Sequence, residues 1–143
     1  MKSLIYLFVT FLIISYQSNL FAQHLLLFGG DKNEVYLGCI TCNKFDNESI
    51  WNKFGTYGSK FNSESIWNKF GTYGSKFNMY SPWNKHSIQA PVVVDKTGTF
   101  YGYFTINKHL QKRVRDKWLI EILENYEWIM DNFDKYVNNL RLN

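Results

Sequence analysis

The chain has 143 residues and a formal net charge of +4 at pH 7. A chain of this length favours one domain, and its small net charge, with basic and acidic residues interleaved, argues against a nucleic-acid-binding protein. Phe, Tyr and Trp make up 19% of the residues, which is enough aromatic surface to build a core in a chain this short.

The N-terminus predicts a signal peptide over residues 1–22. Lys2 is its only charged residue, and an apolar run from Leu4 to Ile14 follows. Ala22 then precedes Gln23, as at a secretory cleavage site. The apolar run is too short for a hydrocarbon core of about 30 Å, although an uncleaved anchor is the alternative interpretation. We therefore expect a secreted or periplasmic protein that has no transmembrane segment after cleavage and whose residues 23–143 form a single domain.

The chain after the signal peptide begins with a predicted β-hairpin. Leu25 to Phe28 is a short apolar run, and Val35 to Ile40 resumes with β-forming residues. Gly29 to Asn33 lies between them and has the composition of a turn. This pattern predicts two antiparallel strands.

Cys39 and Cys42 form a C-x-x-C motif at the end of this hairpin. In an exported chain two cysteines most simply form a disulfide, which is our prediction. A redox pair and a metal site are the alternatives. A closed zinc site needs four ligands, and His24, His86 and His109 are not at motif spacing from the cysteines. We predict no metal and no cofactor.

Residues 44–91 contain three copies of a 16-residue unit. Residues 48–62 and 64–78 are identical, and the third copy is degenerate. We expect each unit to form about two turns of helix followed by a glycine loop. In the second unit Ile66, Trp67 and Phe70 would form the apolar face and Gly71 the C-cap. Because such helices are too short to be stable alone, we expect the units to pack across a sheet formed by the flanking residues.

Each unit contributes one tryptophan, and together these are Trp51, Trp67 and Trp83. They are interpreted either as buried core anchors or as an exposed row that stacks on sugar rings or binds a surface polymer. With Tyr57 and Tyr73 they are the candidate binding residues.

The C-terminal part predicts a second hairpin followed by helix. Val92 to Val94 and Thr99 to Ile106 are β-rich, and Gly98 is expected to be the left-handed residue of a bulged turn between them. Over residues 109–141 apolar residues recur at spacings of three and four, with a predicted break at Asn125. The recurring residues are Val114, Trp118, Ile122, Tyr126, Ile129, Phe133, Val137 and Leu140.

The predicted fold class is therefore α+β. Two hairpins would form a small antiparallel sheet, the helical-turn repeats would pack on it, and a long C-terminal helix or helix pair would cover one face. A coiled-coil dimer is the alternative use of the helical residues.

Several segments resemble those of a family of small exported bacterial proteins. This family shares a Y-L-G-C-x-x-C motif, tandem S-x-W-N-x-[YF]-G-x-Y-G-S repeats and a terminal hairpin. The matching segments are Tyr36 to Cys42, the repeated S-I-W-N-K-F-G-T-Y-G-S-K-F, Ser81 to Asn84, Pro91 to Gly102 and Lys117 to Ile120. The resemblance covers nearly all of the chain after the signal peptide and implies a shared architecture, but it carries no assigned activity.

The sequence favours a non-catalytic protein. It contains no G-x-S-x-G, H-E-x-x-H or phosphate-binding glycine motif. The leading hypothesis is an exported interaction module whose partner is an envelope glycan, another surface polymer or a protein. A small hydrolase or thiol-redox enzyme is the alternative, and a polar cleft near Cys39 and Cys42 with His86 or Asp95 would favour it. A purely structural envelope protein, with all its tryptophans buried, is the third possibility.

Overall fold

The computed structural model describes residues 23–142, so the predicted signal peptide lies outside the described residues. It contains four strands and three helices, and the predicted α+β class is confirmed. The strands are β1 (Leu26–Gly29), β2 (Val35–Cys39), β3 (Val92–Val94) and β4 (Phe100–Tyr103), and the helices are α1 (Lys117–Glu124), α2 (Tyr126–Asp131) and α3 (Phe133–Asn139).

The four strands form one antiparallel sheet in the order β2-β1-β3-β4. Both predicted hairpins are present, and β1 joins them by pairing with β2 on one side and β3 on the other. Leu27 and Val93 are directly paired on these central strands and are fully buried. Gly98 has a φ of +83°, which confirms its predicted left-handed conformation in the second hairpin.

The repeats contain no α-helix, so the predicted helical turn in each unit is wrong. Residues 43–87 instead form successive turns, each of which ends at the residue where the next begins. The amide of Asn52 donates to the Ser49 carbonyl at 3.2 Å, and the amide of Gly55 donates to the Asn52 carbonyl at 2.9 Å. One longer turn, in which the amide of Ser59 donates to the Gly55 carbonyl, completes the unit.

Side chains at the turn corners explain why turns form rather than helix. The oxygen of Ser65 accepts the amide of Trp67 at 3.1 Å, and that of Asn68 accepts the amide of Phe70 at 3.1 Å. Ser and Asn side chains that bind the backbone two residues ahead compete with helical hydrogen bonding. With such a residue at almost every corner, each turn is stabilised locally and no helix propagates.

Successive units stack as coils, which differs from the predicted wrapping of separate units over a sheet. The indole N–H of Trp67 donates to the Ile50 carbonyl at 2.7 Å, and that of Trp83 donates to the Ile66 carbonyl at 2.6 Å. The ring centroids of Trp51 and Trp67 are 5.3 Å apart, and those of Trp67 and Trp83 are 5.4 Å apart. The period is shorter than that of the common solenoids, yet the units stack in the same way.

Flanking residues close both ends of this stack. At the first coil, the Trp51 indole donates to the Ile40 carbonyl at 2.6 Å. At the third coil, the amide of Ile106 donates to the Pro82 carbonyl at 2.9 Å. This carbonyl is equivalent to that of Ile66, which accepts the indole of the following coil. Pro82 itself occupies the second position of the turn from Ser81 to Asn84, where its fixed φ is favourable.

The helices begin at Lys117, later than predicted from the apolar spacing. Asp116 caps α1 by accepting the amides of Trp118 and Leu119. The predicted break at Asn125 is confirmed, and a second lies at Asn132. Among residues 23–142, no helix has the length and apolar character needed to cross a bilayer.

The coils lie between the helices and the first hairpin. Aromatic residues of the helices pack on the tryptophans, with Tyr126 stacked on Trp83 at 4.6 Å and Phe133 edge-on to Trp67 at 5.6 Å. On the hairpin side, a Cβ on Gly38 would lie 2.6 Å from the Cβ of Tyr57. The tryptophans thus link the coils both to each other and to the helices.

We expect Trp67→Phe to destabilise the protein because it leaves the Ile50 carbonyl, which lies inside the core, without its indole donor. An unsatisfied buried acceptor costs about 1–3 kcal/mol, so the free energy of unfolding measured in urea should fall by at least that amount. Trp128→Phe is the matched control, since Trp128 is 48% exposed and the expected change is within about 0.5 kcal/mol. Equal effects of the two substitutions would contradict the role of the indole hydrogen bond.

Asp95 organises the turn between β3 and β4. Its Oδ1 accepts the Thr97 hydroxyl at 2.6 Å, the Thr97 amide at 2.8 Å and the Thr99 amide at 3.0 Å. The Tyr101 hydroxyl donates to its Oδ2 at 3.0 Å. The Thr97 hydroxyl, with help from these other donors, lowers the pKa of Asp95 to about 2.

This lowered pKa predicts an acid-sensitive contribution to stability. Because ionised Asp95 is favoured in the folded state, its contribution is complete above the ordinary Asp pKa of about 3.9 and is lost as the pH falls toward about 2. In Asp95→Asn the free energy of unfolding should be lower at pH 6 and should fall less between pH 4 and 2. Denaturant titrations at several pH values, with Asp31→Asn as control, measure this; an unchanged pH dependence in Asp95→Asn would contradict it.

Candidate functional site

The three repeat tryptophans are buried in the structure. The exposed fractions of Trp51, Trp67 and Trp83 are 1%, 3% and 1%. This agrees with their interpretation as core anchors and disagrees with that of an exposed row. Their rings offer no surface on which a sugar could stack.

Tyr57 and Tyr73 are partly buried on the opposite side of the coils. The ring of Tyr57 meets that of Tyr36 edge-on at 5.0 Å, and the ring of Tyr73 lies 3.1 Å from where a Cβ on Gly29 would stand. Burial, with smaller contributions from nearby acidic or phenolic groups, raises the pKa of both hydroxyls. The candidate binding residues are therefore divided between the helix side and the hairpin side of the coils and do not form one surface.

A different set of aromatic residues is exposed. Five phenylalanines between residues 44 and 91 have exposed fractions from 80% to 97%. They are Phe45 (80%), Phe54 (89%), Phe61 (82%), Phe70 (97%) and Phe77 (84%). Exposure of this extent is unusual for phenylalanine, and its repetition in every coil makes these rings the strongest candidate binding residues.

The exposed rings fall into two columns along the stack. Phe45, Phe61 and Phe77 occupy equivalent positions 16 residues apart, and Phe54 and Phe70 form a second such series. Every one of the five is preceded by lysine. We call these two series the Lys-Phe columns.

The lysines place positive charge beside the rings. In four pairs the ammonium nitrogen lies 5.2–5.6 Å from the centroid of the following ring, within cation–π range. In the fifth pair, Lys69 lies 3.0 Å from Asp131 of α2 instead. The column of Phe45, Phe61 and Phe77 therefore presents an apolar ring and a cation together at successive coils.

Helix α3 runs between the two columns at the first coil. Lys44 of one column donates to Asn138 at 2.8 Å, and Lys53 of the other lies 2.7 Å from Asp134. Both lysine–helix contacts are solvent-exposed, so they contribute little to stability. They place the polar side chains of Asp134 and Asn138 beside the exposed rings of Phe45 and Phe54.

A cleft of about 450 Å³ lies at this junction. It combines two exposed aromatic rings with amide, carboxylate and ammonium groups. The lining residues are Lys44, Phe45, Trp51, Asn52, Lys53, Phe54, Asp134, Val137 and Asn138. Apolar walls with a few polar groups are typical of small-ligand sites.

The predicted disulfide between Cys39 and Cys42 is confirmed. His24 lies beside it, with its Nδ1 3.3 Å from the Cys42 sulfur and 3.9 Å from the Cys39 sulfur. Sequence spacing did not connect this histidine to the cysteines. Pairing of β1 with β2, which places Leu26 opposite Cys39, brings them together.

Sequence reasoning missed the exposed phenylalanines because it assigned Phe70 to a helix face with Ile66 and Trp67. In a chain of short turns, Ile66 and Trp67 point inward while Phe70 lies on an exposed corner. The signal that identifies the corners is the Lys-Phe dipeptide itself, which recurs at alternating spacings of nine and seven residues. An amphipathic helix would not produce this alternation.

No family model, curated protein or solved structure matches the chain. Its function is therefore inferred from the geometry of its own residues.

Proposed function

We propose that this protein is an exported, non-catalytic interaction module that binds an envelope glycan or a related surface polymer through the Lys-Phe columns. The observation that carries the proposal is the 80–97% exposure of five phenylalanines arranged in two columns. Rings this exposed contribute little to folding, and contiguous exposed apolar surface marks interaction sites.

The repetition of the columns favours a polymer as the ligand. Each coil presents an equivalent ring and lysine, and successive coils are about as far apart as the stacked tryptophan centroids, 5.3–5.4 Å. A linear chain lying along the coil axis would meet the same groups at every coil. Weak contacts repeated along one chain combine into a much higher overall affinity.

The chemistry of the columns favours a glycan that carries acidic groups. A phenylalanine ring has no hydrogen-bonding atom, so it binds by covering apolar surface such as the C–H face of a sugar ring. Lysine supplies charge complementary to carboxylates or phosphates, and because Lys53 and Lys69 are paired with Asp134 and Asp131, this charge comes mainly from the column of Phe45, Phe61 and Phe77. In the cleft, Asp134 and Asn138 add groups that can accept or donate hydrogen bonds to hydroxyls.

The energies involved are sufficient for such binding. Complete burial of one phenylalanine side chain is worth about 1.5–3 kcal/mol, and partial covering is worth correspondingly less. Several rings engaged together offset the cost of ordering a flexible polymer. This predicts weak binding to short oligosaccharides and stronger binding to long chains.

The test compares Phe61→Ser/Phe77→Ser with the unmodified chain. Binding is measured by co-sedimentation with purified peptidoglycan and by affinity electrophoresis in polygalacturonic acid, with dextran as the neutral polymer. We expect the double variant to bind the acidic polymer at least about tenfold more weakly, equivalent to about 1.4 kcal/mol. Because both rings are more than 80% exposed, the melting temperature should be nearly unchanged.

Phe100→Ser is the matched control, since Phe100 is 45% exposed and lies in β4 rather than in a column. It should bind as the unmodified chain does. If the unmodified chain binds neither peptidoglycan nor polygalacturonic acid, or if the control loses as much affinity as the double variant, the proposal is wrong.

A purely structural envelope protein is the second candidate function. The three repeat tryptophans favour it, because each is at most 3% exposed. The main role of the repeat would then be to build a rigid stack. In that case the column substitutions would leave both polymer binding and stability unchanged. The same measurements therefore distinguish the two candidates.

A further inference from the structure

We infer that His24, Cys39 and Cys42 form a metal site that becomes available when the disulfide is reduced, and that it takes a thiophilic d10 ion, Zn²⁺ or Cu⁺. This inference is independent of the polymer-binding proposal. It uses a cluster at the hairpin end of the molecule rather than the Lys-Phe columns.

The three side chains converge on one point. The Nδ1 of His24 lies 3.3 Å from the Cys42 sulfur, and the ligand atoms of all three residues lie within 4.8 Å of one another. Zinc binds sulfur at about 2.3 Å and imidazole nitrogen at about 2.0–2.1 Å, so its tetrahedral ligand atoms lie about 3.8 Å apart or less. With Cα atoms 5.4 Å apart, the two reduced cysteines can reach this separation by side-chain rotation alone.

Thr41 holds His24 over the sulfur atoms. Its hydroxyl donates to the carbonyl of Gln23 at 2.8 Å and accepts the amide of Leu25 at 2.9 Å. Both neighbours of His24 are therefore bound to Thr41, one of the two residues between the cysteines. This arrangement fixes the histidine backbone independently of the disulfide.

Hydrogen bonds also hold the cysteine backbone without the disulfide. The amide of Cys39 donates to the Glu48 carbonyl at 2.7 Å, and its carbonyl accepts the Ile50 amide at 3.0 Å. The Ser49 hydroxyl donates to the Cys42 carbonyl at 3.0 Å. Reduction therefore leaves both thiols close to each other and to His24.

The ligand set selects the ion. Two thiolates and one imidazole are soft or borderline ligands that favour Zn²⁺ and Cu⁺ over Ca²⁺ or Mg²⁺. The C-x-x-C spacing is common among zinc ligands. Three protein ligands leave a fourth position, and because His24 is exposed this position is open to solvent.

The redox step requires a dithiol reductant. Its two thiols supply two electrons and two protons to the bond between Cys39 and Cys42, and the reductant becomes a disulfide. Binding of the ion then displaces the protons of the two cysteine thiols. A disulfide oxidant reverses the sequence: it takes two electrons from the two thiolates and two protons from water and becomes a dithiol, the bond between Cys39 and Cys42 forms again, and the ion is released.

In the experiment the full chain is first reduced with a phosphine, which takes the oxygen of one water molecule and becomes the phosphine oxide. Co²⁺, a spectroscopic probe for Zn²⁺, is then titrated into the reduced chain. We expect one Co²⁺ per chain, with a thiolate-to-cobalt charge-transfer band that Zn²⁺ abolishes. The oxidised chain and Cys42→Ser should show no such band. His24→Ala should keep a thiolate band but bind at least tenfold more weakly, whereas His86→Ala should match the unmodified chain.

Three results would overturn the inference. The first is that the reduced chain binds Co²⁺ and Zn²⁺ no better than the oxidised chain. The second is equal affinity in His24→Ala and the unmodified chain. The third is loss of the tryptophan near-ultraviolet circular dichroism on reduction alone, because the site requires the backbone to stay in place.

Discussion

The hydrogen bond by which the indole of Trp67 or Trp83 binds the coil before it is the interaction on which the stack depends. The backbone of residues 43–87 forms hydrogen bonds within its short turns, but these bonds do not join one coil to the next. The Trp67 N–H supplies that join by binding the Ile50 carbonyl at 2.7 Å. One side chain thus buries a large apolar surface and satisfies a buried polar group, which is the combination a fully buried tryptophan requires. The helices then pack on the same rings, so the two layers share one set of anchors.

Local signals allowed much of the fold to be predicted from the sequence. Both hairpins follow from β-rich runs bounded by turn residues, and the break at Asn125 has a local cause, since its side-chain amide donates to the Glu121 carbonyl at 2.8 Å. The turns of the repeat could not be predicted from apolar spacing, because Ile66 and Trp67 followed by Phe70 fit a helix equally well. What decides the conformation is the recurrence of Ser and Asn at three-residue steps, a polar pattern rather than an apolar one.

The candidate site was harder to predict because residue type alone does not determine burial. Tryptophan, which has a donor, finds a partner inside the stack, while Phe70, which has none, lies at a turn corner and is 97% exposed. The sequence therefore pointed to the correct segment but to the wrong aromatic residues within it. His24 was missed for another reason: its contact with Cys42 depends on strand pairing and on Thr41, neither of which is visible as a spacing.

The helices impose a fixed length on an otherwise extendable stack. A unit that starts and ends at equivalent corners can be duplicated without disturbing its neighbours, as the two identical copies illustrate. Helices α2 and α3, however, run along all three coils: Asp134 pairs with Lys53 of the first, Asp131 with Lys69 of the second, and Tyr126 stacks on Trp83 of the third. The length of the helical layer therefore matches a stack of three coils. An added coil would extend beyond the helical layer and expose its tryptophan, so the number of repeats and the length of the C-terminal helices must evolve together.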